Sequence, residues 1–469
     1  MKTSLTIGGL LLGSIAVYLG QMQATAIPGD GGNLLAGPDV IVGAIPDVAR
    51  YGPATYNGIE YASYAFGSTS CNIGTTQLQW QPNPSNLHPT IPQNMYRIKG
   101  GAIEQIGMSW CKHGFCALQQ NLCGTCTPAG SGCPTVLGIG CSDPYTASLN
   151  GDQADLKSRG PINPSTGIFS GTYTDPTAPS TLPTSLRERV MVARSDLNPS
   201  LNTGAIYVTE CQYIHPDDAS SGNDNNNASY RLCTVGATWS TTQGYSLTLS
   251  GATLQQQPAI YAWKVAHSDV VLTPVDVAGD GRFLVGSRAI DNLNGTWRYE
   301  YAVQNLNSDR AGGSFSIPLP AGAVVTSASF KGPKYMNGET YTNADWTYTV
   351  ANGMITFQCE ANTNANANAL RWATLYNFRF TCDKAPGAGN TTLGLWKSAT
   401  AGSPATSMTV ASTIPAGPPP TPGDFDGDGD VDAADLATLL SAWGTPGADL
   451  NGDNSSDASD LAILLGNWG

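Results

Sequence analysis

The chain has 469 residues, a formal net charge of −13, 54 glycines, 31 prolines and 11 cysteines. Its length predicts two or three domains. Gly, Pro, Ser, Thr and Asn dominate while long Leu/Glu/Lys patterns are missing, which argues against long helices and for short strands joined by turns. No basic stripe is present, so nothing points to a nucleic-acid partner. The acidity is local. Residues 424–469 hold ten Asp and no Lys, Arg or Glu, which leaves −3 of the −13 for everything before them.

The chain opens with Met1-Lys2, an uncharged run from Leu5 to Leu19, and Ala24-Thr25-Ala26. A basic start, an apolar core and a small-x-small site predict a secretory signal peptide over 1–26. The apolar run covers about 15 residues, short of the roughly 20 that span a bilayer, and no later segment comes near that length. The expectation is a secreted, extracellular or cell-surface protein with no transmembrane segment.

Residues 27–251 read as a Cys-rich, turn-rich β region, with strand candidates at 204–209 and 229–239. Seven cysteines fall between Cys71 and Cys141. In an exported chain these predict disulfides, although Cys123-Gly-Thr-Cys126 with Cys116, Cys133 and Cys141 also has zinc-like spacing. Cys211 with Cys233, and Cys359 with Cys382, are the other expected pairs. The odd count leaves at least one thiol over.

Residues 257–416 read as successive strands: 260–265, 270–275, 283–287, 297–303, 314–319, 324–330, 354–358, 370–380, 392–396 and 407–411. Trp297-Arg298-Tyr299-Glu300-Tyr301-Ala302-Val303 alternates large apolar with polar residues, the period of a half-buried strand. Many such strands predict an antiparallel β-sandwich, with a barrel as the alternative. The Asn/Ala/Thr run at 361–369 reads as a flexible hairpin loop. Pro-rich residues 417–423 form a semi-rigid spacer and a domain boundary. The expected fold is thus mainly β, ending in a small α-helical module at 424–469.

That module is an internal repeat. Residues 424–444 and 449–469 match at 12 of 21 positions without a gap. Each copy has an acidic loop followed by an apolar stripe at helical spacing, Leu436, Leu439, Leu440 and Trp443 in the first and Leu461, Leu464, Leu465 and Trp468 in the second. Calcium takes six to eight hard oxygens, and a 12-residue loop supplies them from positions 1, 3, 5, 7, 9 and 12. In the first copy these are Asp424, Asp426, Asp428, Asp430 (backbone carbonyl), Asp432 (through water) and Asp435. Gly429 stands at position 6, where the chain needs a left-handed residue. In the second copy they are Asp449, Asn451, Asp453, Ser455 (backbone), Asp457 and Asp460. Asn454 replaces the glycine and Ser456 the apolar residue of position 8. Two calcium ions are expected, the second held more weakly.

The tail resembles a type I dockerin, with two loop–helix repeats after a Pro-rich linker. The resemblance implies a module that folds on calcium and docks onto a cohesin-like protein or surface scaffold. Recognition residues of that family lie at loop positions 10 and 11. Here Ala433, Ala434, Ala458 and Ser459 stand in place of the Ser-Thr pairs of the best-known examples, which implies a different anchoring partner.

Before the linker the signals are weaker. There is no Gly-x-Ser-x-Gly, no His-Glu-x-x-His and no P-loop. His113, with His88 and His215, could form a copper or zinc site, or serve as a structural histidine. Asp143 is a possible catalytic carboxylate in an Asp-Pro turn. Asp276 to Gly281 reads as a hairpin turn that could hold a lone calcium. The sequence therefore favours a binding or structural protein displayed through its tail. An extracellular hydrolase acting on polysaccharide is the alternative, with no catalytic residue identifiable.

Overall fold

The computed structural model describes residues 36–172, 175, 181–335, 339–417, 421–426 and 429–469. The signal-peptide segment, linker residues 418–420 and Asp428 lie outside them. Among the described residues the protein is mainly β, its sheets antiparallel, with a small helical region at the C-terminus. No helix among them is long and apolar enough to cross a membrane.

In the first region a five-stranded sheet runs Leu247–Leu254, Ala228–Val235, Ile206–Gln212, Gln93–Lys99, Ala102–Met108. Three three-stranded sheets and one two-stranded sheet complete the strand pairing of this region among the described residues. The last hairpin turns through Gly100 and Gly101, at φ 60° and 88°. Two consecutive left-handed residues match a tight hairpin to the twist of its strands. Gly101 has a second reason to lack a side chain, because a Cβ there would lie 2.5 Å from Ile290.

The second region is a sandwich. One sheet runs Val271–Asp276, Arg282–Asp291, Trp297–Asn305, Thr374–Cys382, Val325–Lys331, and the other Thr347–Ala351, Met354–Gln358, Gly312–Pro318, Pro386–Leu395, Ser407–Pro415. Tyr299, Tyr301, Phe315, Phe357, Phe378 and Phe380 fill the space between them, ring against ring at 5.1–6.2 Å. Offset and edge-on contacts of this kind add to the area that aromatic rings bury.

The alternating residues of Trp297–Asn305 point away from that core and are also covered. Glu300, Ala302 and Gln304 are buried because strand Ala102–Met108 packs across them. Tyr96, Ile98 and Ile103 of the first region share one cluster with Trp263, Leu284, Ala302 and Leu375. A polar seam runs beside it. Both oxygens of buried Glu210 are occupied, by Asn94 and Tyr96 on one side and by the Ala259 amide and Gln304 on the other, at 2.6–2.9 Å. Glu104 takes Arg97, Lys331 and Arg379 at 2.7–2.9 Å.

Several expectations are corrected. Residues 260–265 are not a strand but helix Ile260–Ala266. Their apolar run buries Ile260 and Trp263, one turn apart, in the cluster between the two regions. The 361–369 loop is anchored: Ala367, Asn368 and Ala369 are buried, and Asn368 bonds Trp346, Tyr376 and Ala344 at 2.6–2.7 Å. Three disulfides form, Cys71–Cys123, Cys116–Cys133 and Cys126–Cys141, so the zinc-like cluster consists of cross-links. Cys211 and Cys233 do not bridge, since Cys211 lies opposite Ser229 and Cys233 opposite Tyr207, four residues along the ladder. Cys359 and Cys382 are also free thiols, one following a strand of one sheet and the other ending a strand of the opposite sheet.

Candidate metal centre

The tail folds as two copies of loop and helix, Ala433–Ser441 and Ala458–Gly466. Each helix starts at an aspartate that accepts from the amide two residues on, Asp432 from Ala434 at 2.8 Å and Asp457 from Ser459 at 2.7 Å. The carboxylate three residues later reaches back to that aspartate's own amide and completes a capping box.

That returning carboxylate is position 12 of the loop. Asp435 accepts from the amides of Asp432 at 2.9 Å, Phe425 at 2.7 Å and Asp426 at 3.3 Å. Asp460 repeats the pattern on Asp457, Leu450 and Asn451 at 2.8–3.1 Å. The amide bonds, led by those from Asp432 and Asp457, hold both carboxyls below the usual range. Both side chains are therefore ionised and fixed in direction before any cation arrives.

One carboxylate oxygen from each of Asp424, Asp426 and Asp435 lies within 4.8 Å of the other two. Oxygens sharing one calcium at 2.3–2.6 Å can be no more than about 5 Å apart. The donor set is hard, anionic oxygen, which fits calcium in chemistry and spacing. Asp428 falls outside the described residues. Asp430 is exposed, and Asp432 serves as the helix cap. Gly429 has φ 102°, and Asn454 takes the same left-handed region at φ 69°.

In the second loop Asp449 accepts from the amides of Gly452, Asp453 and Asn454 at 2.7–3.2 Å. Asn451 and Asp453 bond to each other, and Asp453 accepts from the Ser455 amide at 2.9 Å. Ser456 and its counterpart Val431 are both buried. The Ser456 hydroxyl donates to the Thr445 carbonyl at 2.7 Å and accepts from Ala448 at 2.8 Å.

The expected apolar stripes are only half buried. Leu439 and Leu464 are sealed and Leu436 and Leu461 partly covered, while Leu440, Trp443, Leu465 and Trp468 are about half exposed. The helices stop at Ser441 and Gly466, before the tryptophans, and loop residues Val431 and Ala448 complete the small core instead.

In the body, His88 accepts the Nδ1 proton of His113 at 2.9 Å and gives its own Nδ1 proton to the Gln81 carbonyl at 2.7 Å. The Gln81 acceptor fixes the tautomer. Burial drives both rings down, to about 4 and about 3. His215 does not join them as a ligand, because the Gln79 carbonyl and the Asp217 amide occupy its two nitrogens. Asp143 is buried on strand Ser142–Tyr145, and burial pushes its carboxyl up to about 7. Glu188 reaches about 7 through burial and then Asp175, a different set of neighbours. Asp280, in the hairpin turn, accepts from Ser308 and from the amides of Asp309 and Arg310.

No family model matches the chain, and no curated protein matches it. Among solved structures, a serine-rich repeat adhesion glycoprotein from Streptococcus agalactiae aligns at 9% identity and TM-score 0.19, over 81% of this chain and 97% of that one. An Amycolatopsis orientalis exo-chitosanase aligns at 8% identity and TM-score 0.14, over 75% of this chain and 25% of that one. Likeness at that level carries no argument about fold or function.

Proposed function

We propose that this is a secreted or cell-surface protein of binding or structural type, held to a cohesin-like partner or surface scaffold by its calcium-dependent tail. The observation that carries the reading is the convergence of Asp424, Asp426 and Asp435 within 4.8 Å, inside a loop–helix unit that occurs twice. Ten aspartates with no basic residue repel one another across 46 residues, and a bound cation offsets that repulsion and orders the loops. The half-exposed Leu440, Trp443, Leu465 and Trp468 give the tail apolar surface for a partner. The three disulfides suit an oxidising, extracellular setting.

The test is capture of the full chain on a panel of immobilised cohesin modules, in calcium and in chelator. Retention that needs calcium and is lost when residues 424–469 are deleted supports the reading. Equal retention with and without the tail defeats it.

A further inference from the structure

The joint between the two β regions leaves a cleft of about 500 Å³, open to solvent. Ligand pockets run from about 300 to 1,000 Å³ and favour such seams between domains. Outer strands make the walls. Val190–Ala193, Ala102–Met108 and Val325–Lys331 each stand last in a sheet, and among the described residues no further strand pairs onto them. Gly107 lets the first two approach, because a Cβ there would lie 2.8 Å from Val192 and 2.9 Å from the Met191 carbonyl.

The lining is mixed. Ile59, Tyr61, Ile106, Met191 and Phe330 give it apolar surface, and Ile59 is 47% exposed. Ser195 and Ser329 are exposed and bring hydroxyls. Every charged group on the wall is already paired. Lys331 meets Glu104 at 2.7 Å, and Arg379 meets Glu104 and Glu300 at 2.9 and 3.1 Å. Asp196 meets Arg97 at 3.0 Å, and Lys334 meets Asp345 at 3.4 Å. A charged ligand therefore finds no waiting counter-ion, and a wholly apolar one would strip water from five ionised groups. The pairs keep hydrogen-bonding capacity. Lys331 gives one of its three ammonium protons to Glu104, and a carboxylate accepts at about four positions.

We infer that this cleft binds a neutral carbohydrate of about disaccharide size. Its C–H faces lie against the apolar lining, and its hydroxyls bond to Ser195, Ser329 and the ion-paired groups, the latter with the strength of charge-assisted hydrogen bonds. A peptide strand suits the walls less well. Val325–Lys331 is bulged between Thr326 and Ser329, with Ser327 at φ 53°, and Val190–Ala193 has four residues, so neither presents a long straight edge. The inference concerns the body alone, and it stands or falls apart from the tail's attachment role.

The experiment is calorimetric titration of the full chain, with calcium present, with cellobiose, maltose, lactose and N,N′-diacetylchitobiose, and with sodium glucuronate and trialanine for comparison. Saturable one-site binding of at least one neutral disaccharide is expected. Its affinity should not change from low to high sodium chloride, because the ligand carries no charge to screen. Ser195→Trp and Ser329→Trp fill the cleft from its two sides at exposed positions and should each weaken binding about tenfold or more. Ile59→Ser removes apolar lining and should weaken it severalfold. Circular dichroism reports whether each variant folds. If one tryptophan variant does not, the other and Ile59→Ser decide the matter. No saturable binding of any disaccharide, binding of glucuronate or trialanine alone, or unchanged affinity in the folded variants overturns the inference.

Discussion

Asp143 shows how one side chain can set a pH response. One oxygen accepts from the Leu118 amide at 2.9 Å and the other is buried without a partner. Burial therefore favours the neutral acid, and its carboxyl titrates near about 7 in the fold. With the folded value raised above the unfolded one, the folded state binds more protons between about pH 4 and 7. This group's contribution is complete at the acid end of that window and is lost as pH rises through 7. Asp143→Asn should remove the slope and raise stability above pH 7 by an amount on the order of a few kcal/mol. Thermal unfolding of both proteins from pH 5 to 8 checks this, and parallel curves would refute it.

At the scale of elements, the sequence made some features legible and hid others. Strands with strict alternation, such as Trp297–Asn305, and apolar runs bounded by turns, such as Met354–Gln358, fall where expected because one face meets a core. Residues 260–265 carry an apolar run that suits either a strand or a buried helix, and only the groove between the regions decides for the helix. Edge strand Thr347–Ala351 was not anticipated, because every residue in it is exposed and leaves no burial pattern. The two helices of the tail were readable because an apolar stripe at helical spacing follows each acidic loop. The Glu104 cluster was not, because Lys331 and Arg379 lie over two hundred positions along the chain from it. The Cys-rich stretch from Cys116 to Cys141 is mostly exposed and relies on its cross-links. Each short loop closure is worth about 3 kcal/mol in the chain-entropy account. Reduction should raise amide exchange across 116–141 while the sandwich at 271–415 stays protected. Uniform protection of both after reduction would contradict this.

For the molecule as a whole, the joint between the two β regions is the structural decision that matters most. It combines an apolar cluster with charged groups that no single region could satisfy. Burial works against ionised Glu104, but Lys331, Arg379 and Arg97 outweigh it and hold the carboxyl near about 2. Its contribution is therefore present above the unfolded value and is lost as pH falls through the folded one. Glu104→Gln leaves Lys331 without its anion, while Arg97 keeps Asp196 and Arg379 keeps Glu300, and should cost about 2 kcal/mol. Calorimetry should show the body still melting in one transition, at lower temperature. An unchanged melting temperature would mean that the joint does not depend on this cluster.

In the proposed function the tail carries attachment, and its calcium chemistry is the central claim. Isothermal titration of calcium into the full chain, alongside Asp435→Asn and Asp460→Asn variants, tests it most directly. Two binding events are expected, the tighter abolished by Asp435→Asn and the weaker by Asp460→Asn. Absence of calcium binding in the unaltered chain, or titrations unchanged in both variants, would contradict the account.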